Sequence, residues 1–235
     1  DAHSTLFKWV ALLTGSKNSL KGIGFFLGAA LLAGLGFVHA LWAMAAGLVI
    51  ILVAAVTLLP GDMGKATTKV KFTKILSKSR AINLLSAARF FLFGARDVWF
   101  VVGVPIFLYE VIGWSFMEVG SFMAAWVIGY GGVQALAPKF VRRSVDGQSS
   151  ETRAAQWWAF VLAALPVAIA ALVEAGAAPA VSVVGGLALF GIVFAINSSV
   201  HSYLILSFSD SDKVALNVGF YYMANAGGRL VGCLF

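Results

Sequence analysis

Acids, cysteines and metal-ligand clusters are scarce in this chain, and each scarcity removes a class of explanation. Only 11% of its 235 residues are charged, and Asp and Glu together number 10, too few for the surface of a soluble globular domain. The single cysteine, Cys233, excludes an internal disulfide framework and a cysteine-held metal centre; it reads as an inert core thiol. No P-loop, metal-ligand spacing or nucleophile triad is present, so neither a cofactor, a bound metal nor an enzyme activity is expected. The net charge of +7 raises the question of nucleic acid. The basic residues, however, are not interleaved with aromatics in any RNA- or DNA-binding pattern, and most flank apolar runs.

Apolar residues dominate, at 60% of the chain with a mean hydropathy of +0.92. Crossing a hydrocarbon core of about 30 Å takes about 20 apolar residues in a helix. Seven stretches qualify, roughly 20–37, 40–59, 82–112, 116–138, 155–174, 179–208 and 214–235. Lipid offers backbone groups no partner, and the alternation of barrel strands is absent, so these are helices. The expected class is an all-α, multi-pass integral membrane protein with the lipid bilayer as its first partner. Residue 235 falls inside an apolar run and no initiator Met opens the chain, so the sequence reads as a piece of a longer protein.

Orientation follows from the cations, because cytoplasmic loops retain Lys and Arg. Lys8 and Lys17 precede the first stretch and Lys21 lies at its very start. Lys65, Lys69, Lys71, Lys74, Lys78 and Arg80 lie between the second and third, and Lys139, Arg142, Arg143 and Arg153 between the fourth and fifth. Lys213 precedes the seventh. All fall on one side, so the N-terminal flank is cytoplasmic, which is opposite to a seven-helix receptor. Residues 61–80 read as a basic cytoplasmic linker between the helices of 1–60 and those of 81–235.

Arg89, Arg96 and Asp97 lie deep within the third apolar stretch, and Arg229 within the seventh. A charge at the bilayer centre costs at least ~2.5–3.5 kcal/mol, so it needs a reason. Measured inward from Tyr109, taken as an outer aromatic anchor, Arg96 and Asp97 lie about 18–20 Å along the helix, and Arg229 lies about 22 Å into its own. Guanidinium stays protonated and grips oxyanions through paired hydrogen bonds, which makes Arg96 the first candidate anion ligand. Neighbouring side chains on a helix do not face each other, so Asp97 is expected to pair with Arg229, leaving Arg96 free. Arg89 has two readings, a site cation or an anchor that snorkels to the inner boundary. His201 is either a helix-packing histidine or part of a substrate or proton relay. Asn197, Tyr222 and Asn225 sit on polar stripes of their helices, as candidate ligands or as interhelical glue. Glycines 24 and 28 form a GxxxG, and "GYGG" at 129–132 gives another small-residue surface, both read as packing faces. Pro105 and Pro166 are expected kinks.

Two groups of helices joined by a basic linker, with stretches 41–59 and 159–173 apolar all round, resemble the major facilitator superfamily; on that template the chain holds helices 5 to 11 of twelve. Within it, "KSRAINLLSAARFFLFGARDVWFVVGVPIFLY", "WVIGYGGVQALAPK", "NSSVHSYLILSF" and "VGFYYMANAGGRL" resemble the ArsJ-type organoarsenical efflux permeases, with similarity from about "TGSKNSLKG" to the end. That resemblance implies an efflux carrier in the bacterial inner (plasma) membrane for 1-arseno-3-phosphoglycerate, which a glyceraldehyde-3-phosphate dehydrogenase forms when it accepts arsenate. Export would then confer arsenate resistance. Two alternatives stay open: a carrier of another anion, such as an organophosphate exchanged for phosphate, and a membrane receptor or scaffold that moves nothing.

Overall fold

The structure, a computed structural model, describes residues 2–59, 79–141, 144–210 and 213–234, with side chains from residue 5 onward. The expected linker at 61–80 lies outside the described residues apart from Ser79 and Arg80, as do Arg142 and Arg143.

The described residues form helices joined by short turns and loops, with no strand among them. The helices are α1 (Ala2–Leu58), α2 (Arg80–Phe100), α3 (Gly103–Ile106), α4 (Phe116–Leu136), α5 (Ser149–Glu174), α6 (Pro179–Ser207) and α7 (Val214–Leu234); a π-helical turn, Phe107–Val111, extends α3 and a 3-10 turn, Ala137–Lys139, follows α4. Five stretches among the described residues are long and apolar enough to cross a membrane. The first of them, Thr5–Leu58, is about 80 Å of helix at 1.5 Å per residue. It breaks direction at Gly36, whose φ of 73° and ψ of 169° belong to a region essentially reserved for glycine.

The helix that carries the first apolar stretch begins well before residue 20, because α1 is helical from Ala2. Thr14, Lys17, Asn18, Ser19 and Lys21 lower the hydropathy there, yet all lie on helix. Lys17 and Lys21 stand one turn apart on it and line a cavity of the bundle. Elsewhere the elements follow their local chemistry. Ser115 and Glu118 close a reciprocal capping box at the start of α4, and Pro179 occupies the first turn of α6, where no N–H is missed. Pro105 has no N–H for the carbonyl four residues back, and the helix opens at Val101–Val102, at that carbonyl, before resuming as α3. By contrast α5 continues through Pro166.

Two helix pairs approach to backbone contact. A Cβ on Gly22 would sit 2.8 Å from the carbonyl of Ala124, and one on Gly15 2.9 Å from the amide of Ala135, which seats α1 on α4. In the same way a Cβ on Gly94 would sit 2.9 Å from the carbonyl of Gly228, and one on Gly228 2.8 Å from the carbonyl carbon of Phe90, which seats α2 on α7. Gly24 and Gly28 face open space, so the expected GxxxG packing face is corrected to Gly15 and Gly22. In "GYGG" only Gly131 makes a close contact. Aromatic packing fills the centre, with Phe93 edge-on to Phe194 at 5.1 Å, Trp126 against Phe100 at 4.3 Å and Phe7 stacked on Tyr203 at 4.7 Å. The apolar stretches at 41–59 and 159–173 leave Leu48, Ile50, Val56, Phe160 and Val167 largely exposed, as lipid-facing residues are.

Candidate functional site

A cavity of about 640 Å³ lies between α1, α2, α4, α6 and α7. Thr14, Lys17, Asn18 and Lys21 reach it from α1, Arg89 and Arg96 from α2, Tyr130 from α4, Ser198 from α6, and Tyr222, Asn225 and Arg229 from α7. Its lining contains five Lys and Arg side chains and no Asp or Glu. Spacing explains the convergence: Lys17 and Lys21 are one turn apart, Arg89 and Arg96 two turns, and Asn225 and Arg229 one turn, so each pair presents a single face.

Asp97, immediately behind the cavity wall with a fully buried side chain, holds two of the five cations. Arg96 Nε donates to Asp97 Oδ1 at 2.6 Å, and Arg229 Nε donates to Asp97 Oδ2 at 2.7 Å; Arg96 Nη2 also contacts Oδ1. The Asp97–Arg229 pair is thus present, but the expectation that Arg96 stays free is corrected. Adjacent side chains leave a helix about 100° apart, yet the arginine is long enough to curl back, held over Phe93 at 4.7 Å and Phe194 at 5.1 Å. One carboxylate therefore neutralises one charge of two.

Arg89 is treated differently. It is 4% exposed, so the anchor that snorkels to the inner boundary is overturned: the side chain turns inward. Its Nε donates to Asn225 Oδ1 at 3.1 Å, and its Nη1 donates to Ser198 Oγ at 2.9 Å and to the Ser198 carbonyl at 3.3 Å. The guanidinium stacks over Phe93 at 4.0 Å and Tyr221 at 5.0 Å. Every one of these partners is neutral, and among the described residues no carboxylate pairs with Arg89. A buried guanidinium has five donors, and the three bonds to protein use only Nε and Nη1. Nη2 takes part in none of them, and Arg89 lies on the cavity wall.

The polar ring extends beyond the arginines. Gln134, fully buried in α4, accepts from Asn18 Nδ2 at 2.5 Å and donates from Nε2 to Ser198 Oγ at 3.3 Å. Lys17 Nζ lies 5.8 Å from the ring centre of Tyr222, a cation–π contact between α1 and α7. Of the residues singled out from sequence, Arg89, Arg96, Arg229, Tyr222 and Asn225 meet at this cavity. Asn197 and His201 do not. They line a second, mostly apolar cavity of about 670 Å³ between α2, α5 and α6, which Arg96 also borders. There both side-chain polar atoms of Asn197, and Nδ1 of His201, are buried without a hydrogen-bond partner. Sequence reasoning missed Lys17, Lys21, Asn18 and Gln134 as cavity residues. The i, i+4 spacing of Lys17 and Lys21 was the available signal for the first two, and the lone amide inside an otherwise apolar helix was the signal for Gln134.

What the arrangement can do chemically is narrow. Fixed guanidinium and ammonium groups, neutral hydrogen-bonding side chains and aromatic faces bind anions and orient them; no nucleophile–base pair faces the cavity, and among the described residues no group of His, Cys, Asp and Glu is placed to hold a metal. The sequence profile of the Major Facilitator Superfamily matches residues 8–233. No curated protein and no solved structure matches the chain.

Proposed function

The chain belongs to the Major Facilitator Superfamily and is a multi-pass membrane transporter, and from that premise we propose that it exports an anionic organoarsenical, 1-arseno-3-phosphoglycerate, by alternating access. The observation that carries the anionic half of this reading is Arg89, a buried guanidinium with only neutral partners, in a cavity lined by four further cations and no acid. Leaving such a charge uncompensated is costly, and an entering oxyanion removes the cost. A cavity of about 640 Å³ falls within the usual 300–1,000 Å³ of small-molecule sites. The arsenical and the outward direction rest on the resemblance of the four sequence runs quoted above to the ArsJ-type permeases. In this reading residues 1–60 belong to one bundle and 81–235 to the other, and the bundles rock about the cavity. Arg89, Arg96 and Arg229 receive the phosphate and arsenate groups, with Lys17, Lys21, Asn225 and Tyr222 beside them. An inward proton flow would act through Asp97 or His201. Asn197 and His201 border the other cavity and stand apart from the anion. The setting is a bacterial plasma membrane beside a glyceraldehyde-3-phosphate dehydrogenase.

The test is growth. The full-length gene, expressed with such a dehydrogenase in an arsenate-sensitive host, restores growth on arsenate, and Arg89→Ala at normal membrane abundance abolishes it. Resistance that survives Arg89→Ala removes Arg89 from the site. Phosphate-driven counterflow without arsenate resistance replaces the arsenical with an organophosphate, and absence of any solute flux leaves a receptor or scaffold.

A further inference from the structure

We infer that Gln134 is a positioning residue that couples occupancy of Arg89 to the contact between α1 and α4, so that anion binding and helix movement are one event. The inference rests on the anion-carrier reading above.

Gln134 is a lone amide, fully buried in an apolar membrane helix, where an unsatisfied polar group costs several kcal/mol. Both ends of its carboxamide are used, and they point to different parts of the protein. Oε1 takes the 2.5 Å bond from Asn18 on α1. Nε2 gives the 3.3 Å bond to Ser198 Oγ on α6, the same oxygen that receives Arg89 Nη1 at 2.9 Å. Arg89 on α2 reaches Asn225 on α7 through Nε. One unbroken path of four bonds thus crosses all five helices around the cavity. The carboxamide is rigid and planar, so Gln134 cannot follow a displaced Ser198 hydroxyl without changing its angle to Asn18.

The position of this bond makes it sensitive. Asn18 and Gln134 lie one turn from Gly15 and Gly131, in the part of the α1–α4 contact where the backbones approach most closely and only the small side chains of Ser19 and Ala135 stand beside them. An anion at Arg89 draws the guanidinium away from Ser198, releases the hydroxyl from its charged donor and resets the amide at that contact. A residue that merely ties helices together would show the same bonds but no dependence on the ligand.

The experiment uses the full-length carrier in proteoliposomes, with 3-phosphoglycerate as the probe, and measures counterflow KM and turnover for Gln134→Leu, Asn18→Ala and the double variant. Asn18→Ala leaves α4 intact, so it reports even where Gln134→Leu folds poorly. The expected result is turnover reduced about tenfold, within the range of coupling between linked sites, with KM within about twofold of the parent and the double variant no worse than the stronger single. Turnover that stays at the parental value, a KM that rises in step, or losses that add in the double variant each overturn the coupling while leaving the anion reading intact. A parent protein that neither binds nor moves 3-phosphoglycerate overturns the anion reading and the coupling with it.

Discussion

Replacing Asp97 with asparagine separates the two arginines that share it, and the structure gives the size of the effect. Asp97 is the one acid in contact with Arg96 and Arg229 among the described residues, its side chain has no exposed surface, and each oxygen takes a bond below 2.8 Å. Asparagine keeps the shape, but one of its two polar atoms becomes an N–H donor facing a guanidinium that is itself a donor. Removing one partner of a buried ion pair costs about 3–5 kcal/mol because the other charge stays behind. Arg229 has a side chain 47% exposed and can turn toward water, whereas Arg96 at 11% cannot, so its share is discounted for solvent screening. The cost belongs at the lower end, about 3 kcal/mol. At about 2–4 °C per kcal/mol for a chain of this size, the midpoint of thermal unfolding falls by roughly 6–12 °C.

The same substitution strengthens the attraction for a ligand, since an oxyanion no longer competes with the carboxylate. A tenfold gain in affinity is worth about 1.4 kcal/mol, so saturating 3-phosphoglycerate raises the midpoint of Asp97→Asn by roughly 3–6 °C more than that of the parent. The assay is thermal unfolding of purified full-length protein in detergent across a series of 3-phosphoglycerate concentrations. A variant that unfolds at the parental midpoint, or gains less from the anion than the parent does, refutes the assignment of Asp97 as the counter-charge of the cavity.

Four further outcomes follow from named contacts. Arg89→Lys keeps the charge but cannot reach Ser198 and Asn225 together; losing one charge-assisted bond, about 1.5–3 kcal/mol, raises the counterflow KM by at least tenfold, and a KM near the parent's would show that the fork is not used. Lys17→Ala with Lys21→Ala, both on the cavity wall of α1, weakens anion binding severalfold in calorimetry at low ionic strength and by less at high salt, because partly exposed charges are screened. Gly131→Leu places carbon where a Cβ would already lie 2.6 Å from the amide of Ser19, and it is expected to abolish transport and reduce the yield of monodisperse protein on size exclusion. Gly24→Leu meets nothing within 4 Å and leaves both within the parental range.

The helices were legible because each lipid-facing face leaves a long apolar run, and the arginines were legible because a charge inside such a run has to be explained. The start of α1 was not. A hydropathy window sees Thr14, Lys17, Asn18 and Lys21 as a polar flank, while in the fold all four line the cavity. The same limit governs the stripes on α6 and α7. Periodicity places Asn197 with His201 on one face and Asn225 with Arg229 on one face, but it does not say which neighbour each face meets. One face meets the cationic cavity and the other the apolar one. GxxxG at 24 and 28 failed for a related reason, since a smooth surface forms at any pair of glycines, and only the approach of α4 selects Gly15 and Gly22.

The unequal treatment of the two arginines of α2 has a physical consequence for a carrier, which must bind its solute and also let it go. Arg89 and Arg96 both lie over the ring of Phe93, so a single multiply charged anion faces them together. At Arg96 and Arg229 the anion has to displace Asp97, and the carboxylate returns as soon as the anion moves away, which limits how tightly that end is held. At Arg89 an anion would displace only neutral oxygens, and in that reading this end supplies net attraction. An acid beside Arg89 would cancel the attraction, whereas the absence of Asp97 would remove the return. On the anion-carrier reading proposed above, placing the one carboxylate on Arg96 and Arg229, with Ser198 and Asn225 on Arg89, would let the site draw in an anion through one end and release it through the other.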